Sequence, residues 1–417
     1  MWTLVMAVGL SACLASSEVE LEALRERLVS TVEAGDVVAL KDLLAPQARY
    51  VEAVSAGRTL LHLAAGQENP ELTRLLLQHG ANVHVSGPFG ERPLHLARNR
   101  RIAALLLEAG AELDAVSGDG STPLDSALQR GDAALAEFLL DKGANPKAGR
   151  FRTPTLVFAI WSAPQLATRI IELGVDVQSR GYDGQIPILH IAIQAMHVEA
   201  VHAMLRRGAG IRSRANDGSS VMHPLAQAWS ETREKPGFQE ARMRMARLLL
   251  EQGADVNVQD KQGATVLHLL AADPDAGPLV RFLIRNKADF RARDHKGQAP
   301  LHRAVTAGNL PLVSVLLEAG TRADALDGEG RSSLHLAIEA MTGLHNTGPP
   351  GMNSVGELVR VARPSPVHEK IASLLLRAGA DIHRGDKRGR TPLGMARELG
   401  LHGVVELLTT SLPERRP

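Results

Sequence analysis

The sequence is poor in cysteine, in aromatic residues and in net charge. A single cysteine among 417 residues excludes an internal disulfide. An aromatic content of 3% beside 44% hydrophobic residues indicates thin layers of small aliphatic side chains, unlike a barrel or sandwich core. The formal net charge of +1 provides no overall attraction for nucleic acid or for an anionic membrane. We therefore predict no nucleic-acid partner.

Motifs of catalytic and metal sites are missing as well. The chain contains no Gly-x-Ser-x-Gly, phosphate loop, Gly-x-Gly-x-x-Gly or Cys-x-x-Cys. His197 and His202 flank an acidic residue, but five positions separate them, whereas a helical zinc pair requires i and i+4. The sequence thus predicts no catalytic residue, no metal site and no cofactor. A hydrolase or metal-binding protein whose site is built from scattered residues stays the alternative.

What the chain does contain is a repeat. A Gly-Ala pair, or a variant of it, closes a leucine-rich segment at Gly80, Gly110, Gly143, Gly174, Gly208, Gly253, Lys287, Gly320 and Gly379. The steps are 30, 33, 31, 34, 45, 34, 33 and 59 residues. A period near 33 indicates a solenoid, in which each unit buries its apolar faces against its neighbours.

A Gly-x-Thr-Pro-Leu-His-x-Ala phrase, or a variant of it, precedes each pair. The clearest copies begin at Gly57, Gly90, Gly120, Gly297, Gly330 and Gly389, and weaker ones at Arg152, Gly184, Gly218 and Gly263. Thr-Pro suits the first turn of a helix, and the leucine runs that follow indicate a second helix. Glycine suits a left-handed C-cap. Each period therefore predicts two antiparallel helices and a tight turn.

Together these motifs resemble the ankyrin repeat over residues 55–410. The resemblance implies an all-α, right-curving solenoid of about ten helix-turn-helix repeats with β-hairpin-like fingers. It also implies a structural role for the histidine of the phrase, which holds the turn through backbone hydrogen bonds; these histidines are His62, His95, His190, His223, His268, His302 and His335. The 30-residue period predicts unusually short helices over residues 93–99 and 103–108.

The remaining segments are assigned from their patterns. Residues 1–17 form a signal segment and linker, 18–54 the N-terminal capping helices, 55–410 the repeats and 411–417 a polar tail. The long steps place insertions near 230–240 and 342–367, each between the two helices of its repeat, and the second is predicted to be a loop. Two arginine-dense runs are predicted to be solvated faces: Arg98, Arg100 and Arg101, and Arg242, Arg244 and Arg247.

The N-terminal apolar run leads into Leu10-Ser11-Ala12-Cys13, which resembles a bacterial lipobox. The resemblance implies lipidation of Cys13 and, with Leu14 next, an outer-membrane lipoprotein that faces the periplasm. The membrane would then be contacted only through this lipid. No Lys or Arg precedes the run, unlike most export signals. The alternatives are an ordinary signal cleaved after Ala15, which gives a soluble periplasmic or secreted protein, and a frayed apolar N-terminus.

Recognition by surface is the function that these observations favour. In ankyrin stacks the finger tips and the first helices form a concave strip to which partners usually bind. Aromatic residues at the predicted tips resemble interface anchors: Phe89, Phe151 and Tyr182. Trp161 and Trp229 either extend this patch or fill gaps in degenerate repeats. We predict a monomeric, non-enzymatic protein-protein interaction module, a lipid-anchored scaffold or an inhibitor or immunity-type binder.

Overall fold

The computed structural model describes residues 22–44, 52, 54–149, 154–181, 184–228, 230–341 and 365–410. These residues belong to two compact units. The first unit comprises Met1–Ile188 and Arg206–Gly208, and the second comprises Leu189–Leu205 and Ala209–Pro417. Both consist mainly of short paired helices.

The first unit begins with helical residues 22–33 (α1) and continues through nine further helices: α2 Val37–Leu44, α3 Leu60–Ala65, α4 Pro70–Gln78, α5 Pro93–Leu96, α6 Arg100–Glu108, α7 Pro123–Gln129, α8 Ala133–Asp141, α9 Thr155–Ser162 and α10 Pro164–Glu172. Two antiparallel hairpins project from it. Strand β1 (Val54–Ser55) pairs with β2 (Arg58–Thr59), and β3 (Arg180–Gly181) pairs with β4 (Ile186–Pro187).

The second unit contains twelve α-helices: α11 Ile188–Gln194, α12 Val198–Arg206, α13 Ser230–Arg233, α14 Phe238–Glu251, α15 Val266–Leu270, α16 Gly277–Arg285, α17 Pro300–Thr306, α18 Leu310–Glu318, α19 Ser333–Met341, α20 Pro366–Arg377, α21 Pro392–Glu398 and α22 His402–Thr410. A 3-10 turn, His223–Leu225, precedes α13.

Within each unit the helices form two layers. In the first unit α3, α5, α7 and α9 pack successively against one another, as do α2, α4, α6 and α8. In the second unit α15, α17, α19 and α21 form one layer, and α16, α18, α20 and α22 form the other. Apolar residues spaced by three or four line the inside, for example Leu72 and Leu76 on α4 and Leu312 and Leu316 on α18. The predicted all-α repeat architecture is confirmed.

The glycine of the Gly-Ala pair ends the second helix in a left-handed conformation. Gly80 has a φ of 85°, and Ala81 N donates to Leu76 O at 3.1 Å. Lys287 occupies the same position in its repeat and adopts a φ of 69° despite its side chain. The predicted C-cap is therefore kept even where glycine is replaced, at some cost in backbone strain.

In the 30-residue repeat, the predicted helix bounds of 93–99 and 103–108 are wrong. Helix α5 is only four residues long, as expected, and ends at Leu96 rather than at Asn99. Helix α6 is not short, because it begins at Arg100 and has nine residues, like most second helices. The Asn99 side chain caps it by accepting the Ile102 N–H at 3.0 Å. The missing residues are thus removed from the first helix alone.

The arginine-dense runs are exposed as predicted except at Arg242. This residue lies in α14, and its side chain is 1% exposed. The first helix of this repeat is reduced to the 3-10 turn, and Arg242 Nε donates to Leu225 O at its end at 2.9 Å. Arg242 also forms an ion pair with Asp273 at 2.7 Å. The prediction of a solvated face was wrong here, because the guanidinium binds the Leu225 carbonyl at the end of the truncated helix and pairs with the buried Asp273.

The insertion near 230–240 forms α13 and the extended start of α14, which has 14 residues. It follows the 3-10 turn and precedes the regular part of the second helix. Of the insertion near 342–367, residues 342–364 lie outside the described part of the chain, as do the polar tail 411–417 and the signal segment 1–17 with Cys13.

The histidines of the phrase are buried and join neighbouring repeats. In six of them Nδ1 accepts a backbone N–H from three residues earlier at 3.0–3.2 Å: His62, His95, His223, His268, His302 and His335. Because a backbone N–H can only donate, Nδ1 carries no proton. Nε2–H is left to donate to a carbonyl of the next repeat at 2.8–3.2 Å. The structural role predicted for these histidines is confirmed.

Candidate partner-binding face

The projecting fingers are joined tip to tip by backbone hydrogen bonds. In the first unit Gly118 N donates to Phe89 O at 2.8 Å. In the second unit the corresponding bonds, of 2.8–3.1 Å, are Lys261 N to Asp217 O, His295 N to Gln262 O, Gly328 N to Lys296 O and Lys387 N to Glu329 O. Successive tips therefore lie side by side, as a row within each unit.

An aspartate organises each regular finger from within. Asp294 Oδ1 accepts the N–H groups of Lys296 and Gln298, both at 2.9 Å, and Oδ2 accepts from Arg303 at 2.7 Å. Burial pushes the pKa of Asp294 up, but these hydrogen bonds and the arginine charge outweigh it and leave the pKa below its usual range. The finger is thus a rigid turn with an ionised centre.

Phe89 occupies the tip of the finger between α4 and α5 and is 72% exposed. Its backbone is nevertheless fixed on both sides. Phe89 N donates to Glu91 Oε2 at 2.8 Å, and Phe89 O accepts the Gly118 N–H. Arg58 of the preceding finger holds Glu91 Oε1 at 2.8 Å. An exposed aromatic ring is therefore presented from a preorganised backbone.

Glu91 is the centre of this arrangement, with a side chain only 8% exposed. Burial favours its neutral form, but hydrogen bonds from its own backbone, from Arg58 and from Phe89 outweigh that effect and lower its pKa. The carboxylate therefore stays ionised at neutral pH, where it can bind both neighbours. Arg58 and Glu91 occupy the same position of adjacent phrases, 33 residues apart. Their opposite charges could have predicted this ion pair from the sequence, but the pair was not predicted.

An open groove of about 330 Å³ begins at Phe89, and its lining includes Arg58, Asp119, Gln129 and Arg130. Arg130 donates to His95 O at 2.9 Å and to Ala97 O at 2.8 Å, and so satisfies the end of the short helix α5. The groove joins an aromatic edge to side chains that donate and accept hydrogen bonds. This combination suits the capture of another protein's side chain.

Trp161 lies on α9, a first helix, and is 41% exposed. Its ring meets that of Phe158 edge to face, with centroids 6.2 Å apart. Trp161 is therefore partly available to a partner rather than wholly used to fill a gap. The other predicted anchors, Phe151, Tyr182 and Trp229, lie outside the described residues.

Among the described residues, no helix has the length and apolar character needed to cross a membrane. No group of three or more His, Cys, Asp or Glu side chains within the same part of the chain is arranged to hold a metal ion.

Comparison with protein families agrees with the helix pairs and fingers. The family model described as ankyrin repeats, in three copies, matches residues 28–117, 61–150, 238–327 and 267–346, which together make up more than half of the chain. The chain belongs to the ankyrin-repeat family. Ankyrin repeats are generally non-enzymatic scaffolds for protein-protein interactions, and the repeats of this chain suggest an interaction module.

The chain is similar to parts of several proteins with different names. The E3 ubiquitin-protein ligase KEG of Arabidopsis thaliana is 27% identical over 78% of this chain and 20% of its own length. The transient receptor potential cation channel subfamily A member 1 of Homo sapiens is 25% identical over 86% of this chain and 34% of its own length. The neurogenic locus notch homolog protein 1 of Homo sapiens is 30% identical over 53% of this chain and 8% of its own length. The chain thus spans at most about a third of these relatives.

Proposed function

We propose that the chain captures a protein partner on the face made by its fingers and first helices, as a scaffold or as an inhibitor of the immunity type. The observation that carries this proposal is Phe89, an aromatic ring 72% exposed on a backbone bound from both sides. A rigid aromatic anchor loses little freedom on binding, so most of its burial contributes to affinity. Trp161, Phe151, Tyr182 and Trp229 complete the proposed set of contacts.

Phe89→Ala is expected to weaken partner capture by about 1–3 kcal/mol, or roughly 5- to 150-fold in Kd, because interface energy concentrates in a few aromatic anchors. The measurement begins with a pull-down from solubilised membranes and quantitative mass spectrometry, and continues with titration of the recovered protein. Stability should change little, since the ring is hardly packed.

Val38→Ala is the matched control, because Val38 is also 72% exposed but lies on the capping helix α2. It should leave capture unchanged. If the Phe89 and Val38 variants retain the same proteins with the same affinity, the proposed anchor is wrong.

We further propose that the chain is a lipoprotein of the bacterial outer membrane that faces the periplasm. The support is the resemblance of residues 10–13 to a lipobox and the position there of the single cysteine, Cys13. A diacylglycerol on Cys13, together with an N-acyl chain, would provide more than the two signals that stable anchoring requires.

Cys13→Ser is expected to abolish labelling by a palmitate analogue in a bacterial host and to move the protein from the membrane fraction to the soluble fraction. Ser16→Ala, three residues away, should leave both properties unchanged. Membrane fractionation that survives the Cys13 substitution, or a mature protein that begins at Ser16, would contradict the lipoprotein assignment.

A further inference from the structure

The finger tips of the second unit carry a concentration of positive charge that the net charge of +1 conceals. We define the tip row as Lys261, His295, Lys296, Glu329, Lys387 and Arg388, all of them exposed. Four of these side chains are Lys or Arg, and one is acidic; the preceding tip of the unit, bonded to Lys261, adds a second exposed acid, Asp217, at the end of the row. In the first unit the described tips instead present Phe89 and Asp119. The two units therefore offer different surfaces to a partner.

The tip row is one surface because the fingers are bonded to one another. Lys261 N, His295 N and Lys387 N each donate to a carbonyl of the preceding finger at 2.9–3.1 Å. The side chains of successive tips consequently project from a continuous backbone row within the second unit. An extended segment laid along it would meet several cations in succession.

The acidic groups beneath three of the tips are already engaged, and beneath Lys261 the half-buried Asp260 accepts the N–H groups of Gln262 and Ala264. Asp294, Asp327 and Asp386 are buried, and each accepts backbone N–H groups of its own finger and an arginine from behind the tip. The arginines are Arg303, Arg331 and Arg390. Within the described residues, the side chains of Lys261, Lys296, Lys387 and Arg388 form no ion pair. Their charges are therefore directed to solvent.

We propose that the tip row binds an acidic segment of a protein partner, an extended stretch rich in Asp and Glu. The inference rests on the proposed function as a protein-binding module and names the chemistry of a second contact. Carboxylates would meet Lys261, Lys296 and the Lys387–Arg388 pair, and the attraction would accelerate association and depend on ionic strength. Glu329 would limit how many carboxylates fit at the centre of the row.

The composition of the row favours a peptide over a nucleic acid. Proteins that bind single strands combine cations with aromatic side chains on which bases stack. The tip row contains no aromatic residue other than the imidazole of His295. In addition, Glu329 would repel a continuous phosphate backbone, whereas an acidic peptide can place a neutral residue opposite it.

The test uses the full chain and a fluorescein-labelled oligoglutamate of about ten residues, which spans roughly 33 Å when extended. Fluorescence anisotropy at low and physiological salt should show binding that weakens as salt rises. Reversal of all four cations (Lys261→Glu, Lys296→Glu, Lys387→Glu and Arg388→Glu) should weaken binding by at least about tenfold, because like charges then face each other.

The matched control reverses four exposed cations on second helices of the same unit: Arg244→Glu, Arg247→Glu, Lys370→Glu and Arg377→Glu. It alters net charge equally and, at physiological salt, should bind within about twofold of the wild type, since charges beyond a Debye length of roughly 8 Å are then screened. Equal losses in both variants would overturn the proposal, as would tighter binding of an oligothymidylate of the same length. Phe89→Ala separates the two proposals, because it should leave oligoglutamate binding intact whatever it does to partner capture.

Discussion

Asp273→Ala is expected to lower the free energy of unfolding of the second unit by about 3–5 kcal/mol. The substitution leaves the guanidinium of Arg242, 1% exposed, without its counter-ion at 2.7 Å. Burial lowers the pKa of Arg242, but arginine does not lose its proton in proteins, so the charge cannot be relieved by titration. Urea unfolding followed by circular dichroism measures the change, and hydrogen exchange should place it around α14 and the 3-10 turn before it.

A double-mutant cycle isolates the ion pair from the loss of packing. The double variant Arg242→Met/Asp273→Ala should lose less free energy of unfolding than the two single variants lose when their losses are added. The reason is that it removes both buried charges together. Glu318→Ala serves as the control, since the Arg281–Glu318 pair is about half exposed on both sides and should contribute little. If Asp273→Ala were no more harmful than Glu318→Ala, the buried pair would have no such role.

The contrast between Arg242 and the histidines shows which parts of the fold the sequence could predict. The histidine role is implied by the ankyrin resemblance, and the same residue stands at the same position in seven of the ten phrases, so His62 and His302 are expected to perform the same task. Arg242 lies where the repeat departs from its pattern, and its burial depends on a helix that fails to form. Single deviations have no second copy from which their packing could be inferred.

The same distinction applies to the candidate binding face. An aromatic residue at the tip position indicated that Phe89 is exposed, because the position of each tip is fixed by the period. The rigid support from Arg58 and Glu91 was not predicted, since it depends on a contact between two fingers rather than on either finger alone. Likewise, the positive tip row appears only when the underlying aspartates are seen to be engaged by their own fingers.

The shared tautomer of the phrase histidines makes the fold sensitive to acid. Burial lowers the pKa of each of these five: His62, His95, His268, His302 and His335. Protonation would place a new Nδ1–H against a backbone N–H, as at Thr265 N beside His268. In the folded state these imidazoles therefore bind a proton only at lower pH, whereas in the unfolded state they bind it near pH 6.5.

Stability is consequently expected to be complete above about pH 6.5 and to fall as the pH drops below it, because the unfolded chain then binds more protons. Each histidine contributes up to about 1.4 kcal/mol per pH unit, so the three in the second unit together contribute a slope of up to about 4 kcal/mol per pH unit.

The measurement is urea unfolding at pH 7, 6 and 5 at constant ionic strength. Glu91, Asp294 and Asp386 do not interfere, since the pKa values of their carboxyl groups are lowered and the stability that they contribute is lost only below about pH 4. His268→Gln should be less stable at pH 7 but should show a shallower dependence, because one titrating group is gone. A stability that stays constant between pH 7 and pH 5 would show that the buried histidines tolerate protonation.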